Sequence, residues 1–311
     1  MSSFFTPQEA NDISGFMDGI SGLRGWRWIM ILEGLPTIIL GIACIWILAD
    51  EPDTAYYLTP HERQMITTRR AAQLGVNDEF SWLDVRKGLK DWKIWVFCAG
   101  QFCTDTMLYG YSTFLPTIIK AIRPDASSAV VQLLTIPCYA VGAMSYMSVA
   151  RFSDWRQMRG LPVVTLCLMS VLGYALLISP ISPSGHYAGC FLVALGLYVA
   201  VGIPLAWLPT NNPRFGKRTT ATGLQLTIGN ASGIMAPFLY PKAEGPRYVK
   251  GHAVTMALVA FAALLFGGMS VWFQAENGKR ERGGRDGKMQ GLSEEEVLAM
   301  GDGNPKFRFA T

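Results

Sequence analysis

The feature that most constrains this sequence is a succession of seven apolar segments, each about long enough to cross a lipid bilayer as a helix. The hydrocarbon core of a bilayer is about 30 Å thick and an α-helix rises about 1.5 Å per residue, so about 20 residues suffice. The segments are Ile29–Ala49, Ile94–Ile119, Ser127–Ala150, Leu161–Ser179, Tyr187–Leu208, Thr219–Tyr240 and Ala253–Ala275. The sequence therefore predicts an all-α polytopic membrane protein with seven transmembrane helices. An odd number of crossings places the two termini on opposite sides of the membrane.

The composition also favours a membrane protein over a soluble one. The 311 residues are 50% hydrophobic and 16% charged, with a mean hydropathy of +0.24, whereas about a quarter of the residues of a soluble protein are charged. Residues 160–213 contain no Asp, Glu, Lys or Arg. The net charge of +4 is mild. We therefore expect membrane lipid around the helices and no nucleic acid as a partner.

The sequence has no pattern typical of an enzyme or a metal centre. The six cysteines lie within or at the edge of apolar segments and none belongs to a CxxC pair, so packing as small hydrophobic residues is their expected role. The histidines, His61, His186 and His252, lie outside the centres of the predicted helices. We expect no metal, no cofactor and no enzymatic activity.

The distribution of basic residues predicts the orientation. Loops 51–92, 151–160 and 209–218 and the C-terminal tail share one side of the membrane and carry 19 Lys and Arg residues, against 7 on the other side. Basic residues are enriched in the loops that stay in the cytoplasm. We therefore predict a cytoplasmic C-terminus and an extracellular N-terminus.

These boundaries divide the chain into five predicted regions. They are an extracellular N-terminal segment (1–28), a transmembrane helix (29–49), a cytoplasmic central loop (50–93), a six-helix half (94–275) and a cytoplasmic tail (276–311). Capping boxes predict short helices outside the membrane. Thr59 with Glu62 begins one in the central loop, and Ser293 with Glu296 begins one in the tail. A further short helix is predicted to begin at Ser81 and to lie along the membrane surface.

Several short motifs, spread over nearly the whole chain, resemble those of one family of fungal transporters. In chain order they are Gly22-Leu23-Arg24-Gly25-Trp26-Arg27-Trp28-Ile29 with Glu33-Gly34, Phe114-Leu115-Pro116-Thr117-Ile118-Ile119, Thr222-Gly223-Leu224-Gln225 with Ile228-Gly229-Asn230, Pro246-Arg247-Tyr248 with Gly251-His252, and Met300-Gly301-Asp302 with Phe307-Arg308-Phe309. The sequence resembles the fungal anion:cation symporter family of the major facilitator superfamily, which includes allantoate permeases and nicotinic acid transporters.

The resemblance implies a twelve-helix major facilitator fold, of which this N-terminally truncated chain carries helices six to twelve. It also implies proton-coupled symport of a small organic anion, a carboxylate such as a vitamin or an allantoate-like compound, at the plasma membrane. Such transporters alternate access by rocking one half against the other. The implied function therefore carries over only if the missing N-terminal half is supplied, by a longer polypeptide or by a partner.

Two other interpretations stay open. A chain of this extent could be a nonfunctional or regulatory half-transporter. Seven helices with an outside N-terminus also match the topology of a seven-helix receptor. Against the receptor, the sequence has no DRY-like triplet at the end of the third helix, no NPxxY in the seventh and no extracellular cysteine pair.

Asp105 is the strongest candidate for a functional residue, because it is the only formally charged residue within Ile94–Ile119. A carboxylate there is costly, so it should face the interior of the bundle or a water-filled cavity. Gln101, Asp105 and Tyr109 are spaced four residues apart and form one polar stripe of a helix. We expect Asp105 to take part in proton coupling or substrate contact. A structural hydrogen bond to a neighbouring helix is the alternative.

Other candidates for substrate contact lie in the second, fifth and sixth segments. Gln225, Gly229 and Gly233 form a stripe in which the two glycines have the GxxxG spacing of closely packed helices. The further side chains that could contact a polar or ring-bearing substrate are Tyr109, Tyr111, Trp207, Asn211, Gln225 and Asn230. For the tyrosines the alternative is packing, and for Asn211 it is helix termination.

The loop after the third segment resembles the acidic-basic loop between paired helices that is characteristic of the superfamily. It contains Asp154 with Arg151, Arg156 and Arg159. The resemblance implies a conformational latch made of charge pairs and helix-end contacts. The seven segments contain no Lys or Arg, so the cationic partner of an anionic substrate is expected in the missing half.

Overall fold

The computed structural model describes residues 19–49, 51, 54–74, 81–245 and 247–311. The regular elements in those ranges are all helical. The α-helices are α1 (Gly25–Ile47), α2 (Pro60–Leu74), α3 (Trp82–Lys90), α4 (Trp92–Ile122), α5 (Ser128–Arg156), α6 (Gly160–Ile178), α7 (Pro183–Thr210), α8 (Phe215–Leu239), α9 (Val249–Glu281) and α10 (Glu294–Ala299). Short 3-10 helices cover Ile20–Gly22, Lys242–Glu244, Asp286–Met289 and Gly301–Gly303. Residues 1–18 of the predicted N-terminal segment lie outside the described ranges.

Each of the seven predicted segments forms one long helix, which confirms the all-α class. Five of the described helices, α1, α5, α6, α7 and α9, are long and apolar enough to cross a membrane. The other two, α4 and α8, have 31 and 25 residues, and about 20 are needed. They are not among the five helices that are apolar enough throughout, so the count of seven crossings stays a prediction.

The short helices outside the long ones begin where capping was predicted. The Thr59 backbone N–H donates to Glu62 Oε2 (2.9 Å), and the Glu62 N–H donates to Thr59 Oγ1 (3.4 Å). Ser293 and Glu296 form the same reciprocal pair at the start of α10. Ser81 Oγ accepts a hydrogen bond from a backbone N–H in the first turn of α3. Local capping therefore determines where these helices begin.

The chain divides into two compact units. The first comprises residues 1–73 and 126–133, and the second comprises residues 74–125 and 134–311. In the first unit, α1 exposes most of the apolar side chains that the structure describes in it, as a helix surrounded by lipid does. In the second unit, α6 lies against α7 and α9, and α4 lies against α8, α9 and α7.

Small residues let the helices of the second unit approach closely. A Cβ atom at Gly196 of α7 would lie 2.1 Å from the Leu166 carbonyl oxygen of α6 and 2.2 Å from Ser170 Oγ. A Cβ atom at Gly173 of α6 would lie 2.7 Å from the Val193 backbone nitrogen of α7. Membrane helices commonly associate through such small residues, because lipid offers them little hydrophobic gain from association.

Gly196→Ala should destabilise the protein, because the added methyl group would collide with the α6 backbone, which cannot move aside alone. Overpacking of this kind costs about 1–3 kcal/mol. Gly268→Ala in α9 is the control, since the space there is open. The detergent-solubilised protein would be heated and its monodisperse fraction measured by size-exclusion chromatography. A Gly196→Ala midpoint equal to that of the control would contradict the packing assignment.

Candidate functional site

The polar stripes predicted on two separate helices meet in the structure. Gln101 Nε2 of α4 donates to Asp105 Oδ1 of the same helix (2.7 Å), and Gln225 Nε2 of α8 donates to Gln101 Oε1 (3.1 Å). We call Gln101, Asp105, Gln225 and Gly229 the polar cluster. It lies on the contact between α4 and α8, within the predicted membrane-spanning stretches of both helices.

The polar cluster is buried and lacks charge compensation. Gln101 and Gln225 are fully buried, and Asp105 is 6% exposed. Within the described residues, no basic side chain forms an ion pair with Asp105, and the Gln101 amide is its hydrogen-bond donor. Gln225 Oε1 is buried and accepts no hydrogen bond from those residues. A buried carboxylate without a cation is costly, and uptake of a proton would remove that cost.

Gly229 is the residue that lets the two helices bring these groups together. A Cβ atom at Gly229 would lie 2.3 Å from Asp105 Oδ2 and 2.7 Å from Gln101 Cγ. At Gly233, the other predicted packing glycine, a Cβ atom would lie 3.4 Å from the Tyr109 ring, which is ordinary contact. Sterics therefore require glycine at position 229 but not at position 233.

The two predicted tyrosines face different helices. The Tyr109 hydroxyl donates to Asn230 Oδ1 of α8, one turn from the polar cluster, and Asn230 Nδ2 donates to the Leu226 carbonyl (2.8 Å). The Tyr111 hydroxyl donates to the Cys190 carbonyl of α7 (2.8 Å), and its ring is fully buried. Tyr109 and Asn230 thus extend the α4–α8 contact, whereas Tyr111 packs against α7.

Trp207 and Asn211 do not join the polar cluster, because the end of the C-terminal tail (residues 300–311, called the tail from here on) binds their polar atoms. Trp207 Nε1 and Asn211 Nδ2 both donate to the Ala310 carbonyl, at 2.8 and 3.1 Å. Asn211 Oδ1 accepts from the Ala310 backbone N–H (2.8 Å). In this structure the polar atoms of both side chains are bonded to the tail, and their contact with substrate stays a prediction.

The tail also joins a largely buried cluster of charges that no sequence pattern predicts. The Asp302 carboxylate contacts Lys93 Nζ of α4 (3.0 Å) and Lys217 Nζ of α8 (2.8 Å). Asp91 contacts the same two ammonium groups, at 2.9 and 2.5 Å. Lys217 is only 6% exposed. The two lysines and two aspartates balance in charge, as burial of ions requires.

Further tail contacts are made by α9. Arg280 donates hydrogen bonds of 2.9–3.0 Å to the backbone carbonyls of Asp302, Asn304 and Phe307. Asn277 donates to the Phe309 carbonyl (2.8 Å) and accepts from the Phe309 N–H (2.9 Å). The Phe309 ring stacks on Phe273, with centroids 4.7 Å apart. The sequence signals in this region are the motifs Met300-Gly301-Asp302 and Phe307-Arg308-Phe309 and the charged and amide residues that directly flank apolar segments, but none of them predicts these contacts.

The predicted latch forms one ion pair. Asp154 Oδ1 lies 2.6 Å from Arg159 Nη1, and the Arg159 backbone N–H donates to the Thr311 carbonyl. Arg156 instead lies over the ring of the preceding tryptophan, with its guanidinium carbon 4.9 Å from the ring centroid. Arg151 is exposed. Of the three basic residues, Arg159 is therefore the one that holds the acidic group.

A small pocket of about 80 Å³ lies at the other end of the second unit, where α4 and α6 end. Its polar lining residues are His186, Arg247 and His252. Arg247 Nη2 donates to the Ile178 carbonyl (2.9 Å), and His186 Nε2 lies 2.9 Å from the Ser179 carbonyl. These contacts satisfy carbonyls at the end of α6, which gives both side chains a structural role.

Comparison with known proteins identifies the family of this chain. The sequence profile of the Major Facilitator Superfamily matches residues 13–237. The chain belongs to this superfamily. That result confirms the superfamily expected from the motifs, together with an integral, multi-pass membrane protein. No solved structure matches the chain significantly.

Several curated relatives are fungal transporters. A protein named as an uncharacterized transporter of Schizosaccharomyces pombe is 34% identical over 92% of this chain and 56% of its own length. The major facilitator-type transporter hxnP of Emericella nidulans is 28% identical over 93% and 59%. The high-affinity nicotinic acid transporter of Saccharomyces cerevisiae is 27% identical over 84% and 49%. The chain thus spans about half the length of the curated relatives that it matches.

Gly229→Ala should disrupt the polar cluster, because the methyl group would displace the Asp105 carboxylate from its position against α8. We expect a loss of about 1–3 kcal/mol in stability, measured as a lower thermal midpoint in detergent. Gly223→Ala is the matched control on the same helix, where a Cβ atom meets nothing within 4 Å. Equal midpoints for the two variants would exclude the close approach described here.

Docking of the tail should depend on pH through Asp302. Burial raises the pKa of this carboxyl, but the Lys93 and Lys217 cations outweigh burial and hold the pKa below its ordinary value of 3.8. A lowered pKa in the folded state stabilises the docked tail above about pH 4, and that contribution is lost as the pH falls through the lowered pKa.

Hydrogen exchange of residues 302–311, corrected for the intrinsic rate, measures this dependence. Protection should be constant from about pH 7 to about pH 5 and should fall below about pH 4. Asp302→Asn should remove the fall, because the titrating group is gone. Protection that already declines between about pH 7 and about pH 5 would show that another group controls docking.

Proposed function

We propose that this chain forms the C-terminal half of a proton-coupled symporter for small organic anions. The observation that carries the proposal is the polar cluster, a buried carboxylate without a cation at the contact of two long helices. Membership of a transporter superfamily supports transport rather than enzymatic activity, and it argues against the receptor alternative. A relative named for nicotinic acid, which is a carboxylate at neutral pH, supports the substrate class.

The absence of a cation among the described neighbours of Asp105 suggests how proton and anion would be coupled. An anion approaching an ionised carboxylate to about 4 Å is repelled by roughly 4 kcal/mol at an effective dielectric constant near 20. A proton on Asp105 removes this repulsion and turns the carboxyl group into a hydrogen-bond donor for the anion. Proton and anion would therefore bind together and cross together.

The unpaired oxygen of Gln225 suggests a second contact. A buried acceptor without a donor is unfavourable by about 1–3 kcal/mol, and such an atom in a native structure calls for an explanation. We propose that Gln225 Oε1 accepts a hydrogen bond from an N–H or O–H group of the substrate. Tyr109 and Asn230, one turn further along α4 and α8, would then contact the rest of the molecule.

The other half of the transporter is also part of the proposal. Alternating access moves two halves against each other around a site between them, and this chain spans about half of its relatives. We propose that the N-terminal half comes from preceding helices of the same polypeptide or from a partner, and that it contributes the cation for the anion. The Asp154–Arg159 pair would then serve as a latch during the movement.

The proposal places the protein in the plasma membrane with its tail in the cytoplasm. The support is the distribution of 19 against 7 basic residues over the two sets of loops. In this orientation, the end of the bundle at which α4 and α8 begin faces the cytoplasm. The pocket with Arg247 then faces outward.

Asp105→Asn should remove the pH dependence of uptake, since the amide cannot carry the coupled proton. The protein would be expressed from its complete coding region in yeast cells that lack nicotinate uptake, and labelled nicotinate and other small carboxylates would be supplied at about pH 5 and about pH 7.5. Wild-type uptake should be faster at the lower pH. The variant should show similar, slow uptake at both values.

Asp125→Asn is the matched control, because Asp125 is an exposed carboxylate in the loop after α4. It should keep the wild-type pH dependence. If Asp105→Asn leaves both the uptake and its pH dependence unchanged, that result contradicts the coupling proposal. A wild-type protein that reaches the membrane and takes up none of the carboxylates would favour the regulatory or nonfunctional alternative.

A further inference from the structure

We infer that the C-terminal tail, residues 300–311, is a positioning element that holds α4 and α8 together at their starts and so controls access to the polar cluster between them. The inference rests on the proposed function only for its effect on transport. The contacts themselves, and the opening that they prevent, are properties of the second unit alone.

One tail carboxylate bridges the two helices that carry the polar cluster. Asp302 contacts Lys93 in the first turn of α4 and Lys217 in the first turn of α8. Lys93 lies eight residues before Gln101, and Lys217 lies eight residues before Gln225. Eight residues of helix span about 12 Å. The Asp302 bridge therefore lies equally far along α4 from Gln101 and along α8 from Gln225.

Asp302 is held in place by the rest of the tail. Arg280 of α9 binds three tail carbonyls and Phe309 stacks on α9. The Ala310 carbonyl accepts a hydrogen bond from Trp207 of α7, and its N–H donates to Asn211 directly after α7. These contacts bury Phe309 and Arg280. The tail thus ties α4, α7, α8 and α9 together, and its carboxylate cannot follow the lysines if α4 and α8 separate.

Electrostatics make the bridge necessary rather than incidental. Lys93 and Lys217 lie at helix N-termini, where the helix dipole already carries partial positive charge. Asp91 alone would leave the two ammonium groups half neutralised. Without Asp302 the starts of α4 and α8 therefore repel each other, and water would enter to solvate the lysines. With Asp302 in place, the charges balance and this end stays closed.

The tail should consequently affect the rate of conformational change and not substrate recognition. The polar cluster keeps its residues whether the tail is docked or released. A docked tail closes the route to the cluster between the starts of α4 and α8, and a released tail opens it. Asp302 is thus a positioning residue that acts on the site through Lys93 and Lys217.

The test measures accessibility of a thiol placed on that route. Ala221 is fully buried in α8, one turn from Lys217 towards Gln225. Ala221→Cys, made with the exposed Cys44 changed to Ser, would be labelled with a polar maleimide in detergent. Asp302→Asn should increase the labelling rate at least about tenfold, given the strength of buried ion pairs. Asp302→Glu keeps the carboxylate, so its labelling should be as slow as without a change at position 302. Asp286→Asn, at an exposed carboxylate, should leave the labelling rate unchanged.

A second variant separates repulsion from simple loss of structure. Adding Lys217→Gln to Asp302→Asn leaves Lys93 paired with Asp91 and removes the repulsion. Labelling should then return towards the wild-type rate, which no general unfolding predicts. If Asp302→Asn alone gives no monodisperse protein, recovery of folded protein in the double variant supports the inference and failure to recover overturns it. Equal labelling rates in wild type and Asp302→Asn would also overturn it.

Transport supplies an independent measurement. Asp302→Asn should change the maximal rate of uptake by several-fold and leave the KM for the carboxylate within about twofold, since the polar cluster is intact. A raised KM with an unchanged maximal rate would contradict the positioning role. If no uptake occurs even in the wild type, the proposed function fails, while the labelling result still decides the role of the tail.

Discussion

The burial of one uncompensated carboxylate between α4 and α8 is the constraint on which the rest of the structure depends. In an apolar environment Asp105 requires a hydrogen-bond donor, and the Gln101 amide provides it. The Gln101 oxygen in turn requires a donor, which comes from Gln225 on the other helix. Glycine at position 229 gives these groups the room to meet. These two helices are also the two that the tail carboxylate Asp302 bridges.

Two kinds of polar interaction therefore occur at different positions along α4 and α8. At the start of the helices, charges occur in balanced pairs, as Asp302 and Asp91 show with their lysines. Further along, amides surround a carboxyl group that no cation among the described residues neutralises. Paired charges hold a structure together, whereas an unpaired carboxyl group is free to change its protonation state when a ligand arrives. This division makes the first arrangement suited to positioning and the second to coupling.

The local part of this structure was predictable from the sequence, and the long-range part was not. Apolar length predicted the seven long helices, and capping residues predicted the starts of α2 and α10. Four-residue spacing also placed Gln101 and Asp105 on one helix face. The contacts of Trp207 and Asn211 with Ala310 join residues about a hundred positions apart. No periodic pattern marks residues 302–311, so their docking depends on tertiary structure that the sequence pattern does not encode.

Infrared difference spectroscopy can detect directly whether Asp105 takes up a proton when an anion binds. The purified protein in lipid would be exposed to nicotinate at neutral pH, and the carbonyl stretch of a protonated carboxyl group would be monitored. This band should appear on addition of the anion and should be missing in Asp105→Asn. Nicotinate binding without the band, or a band of equal size in Asp105→Asn, would contradict it.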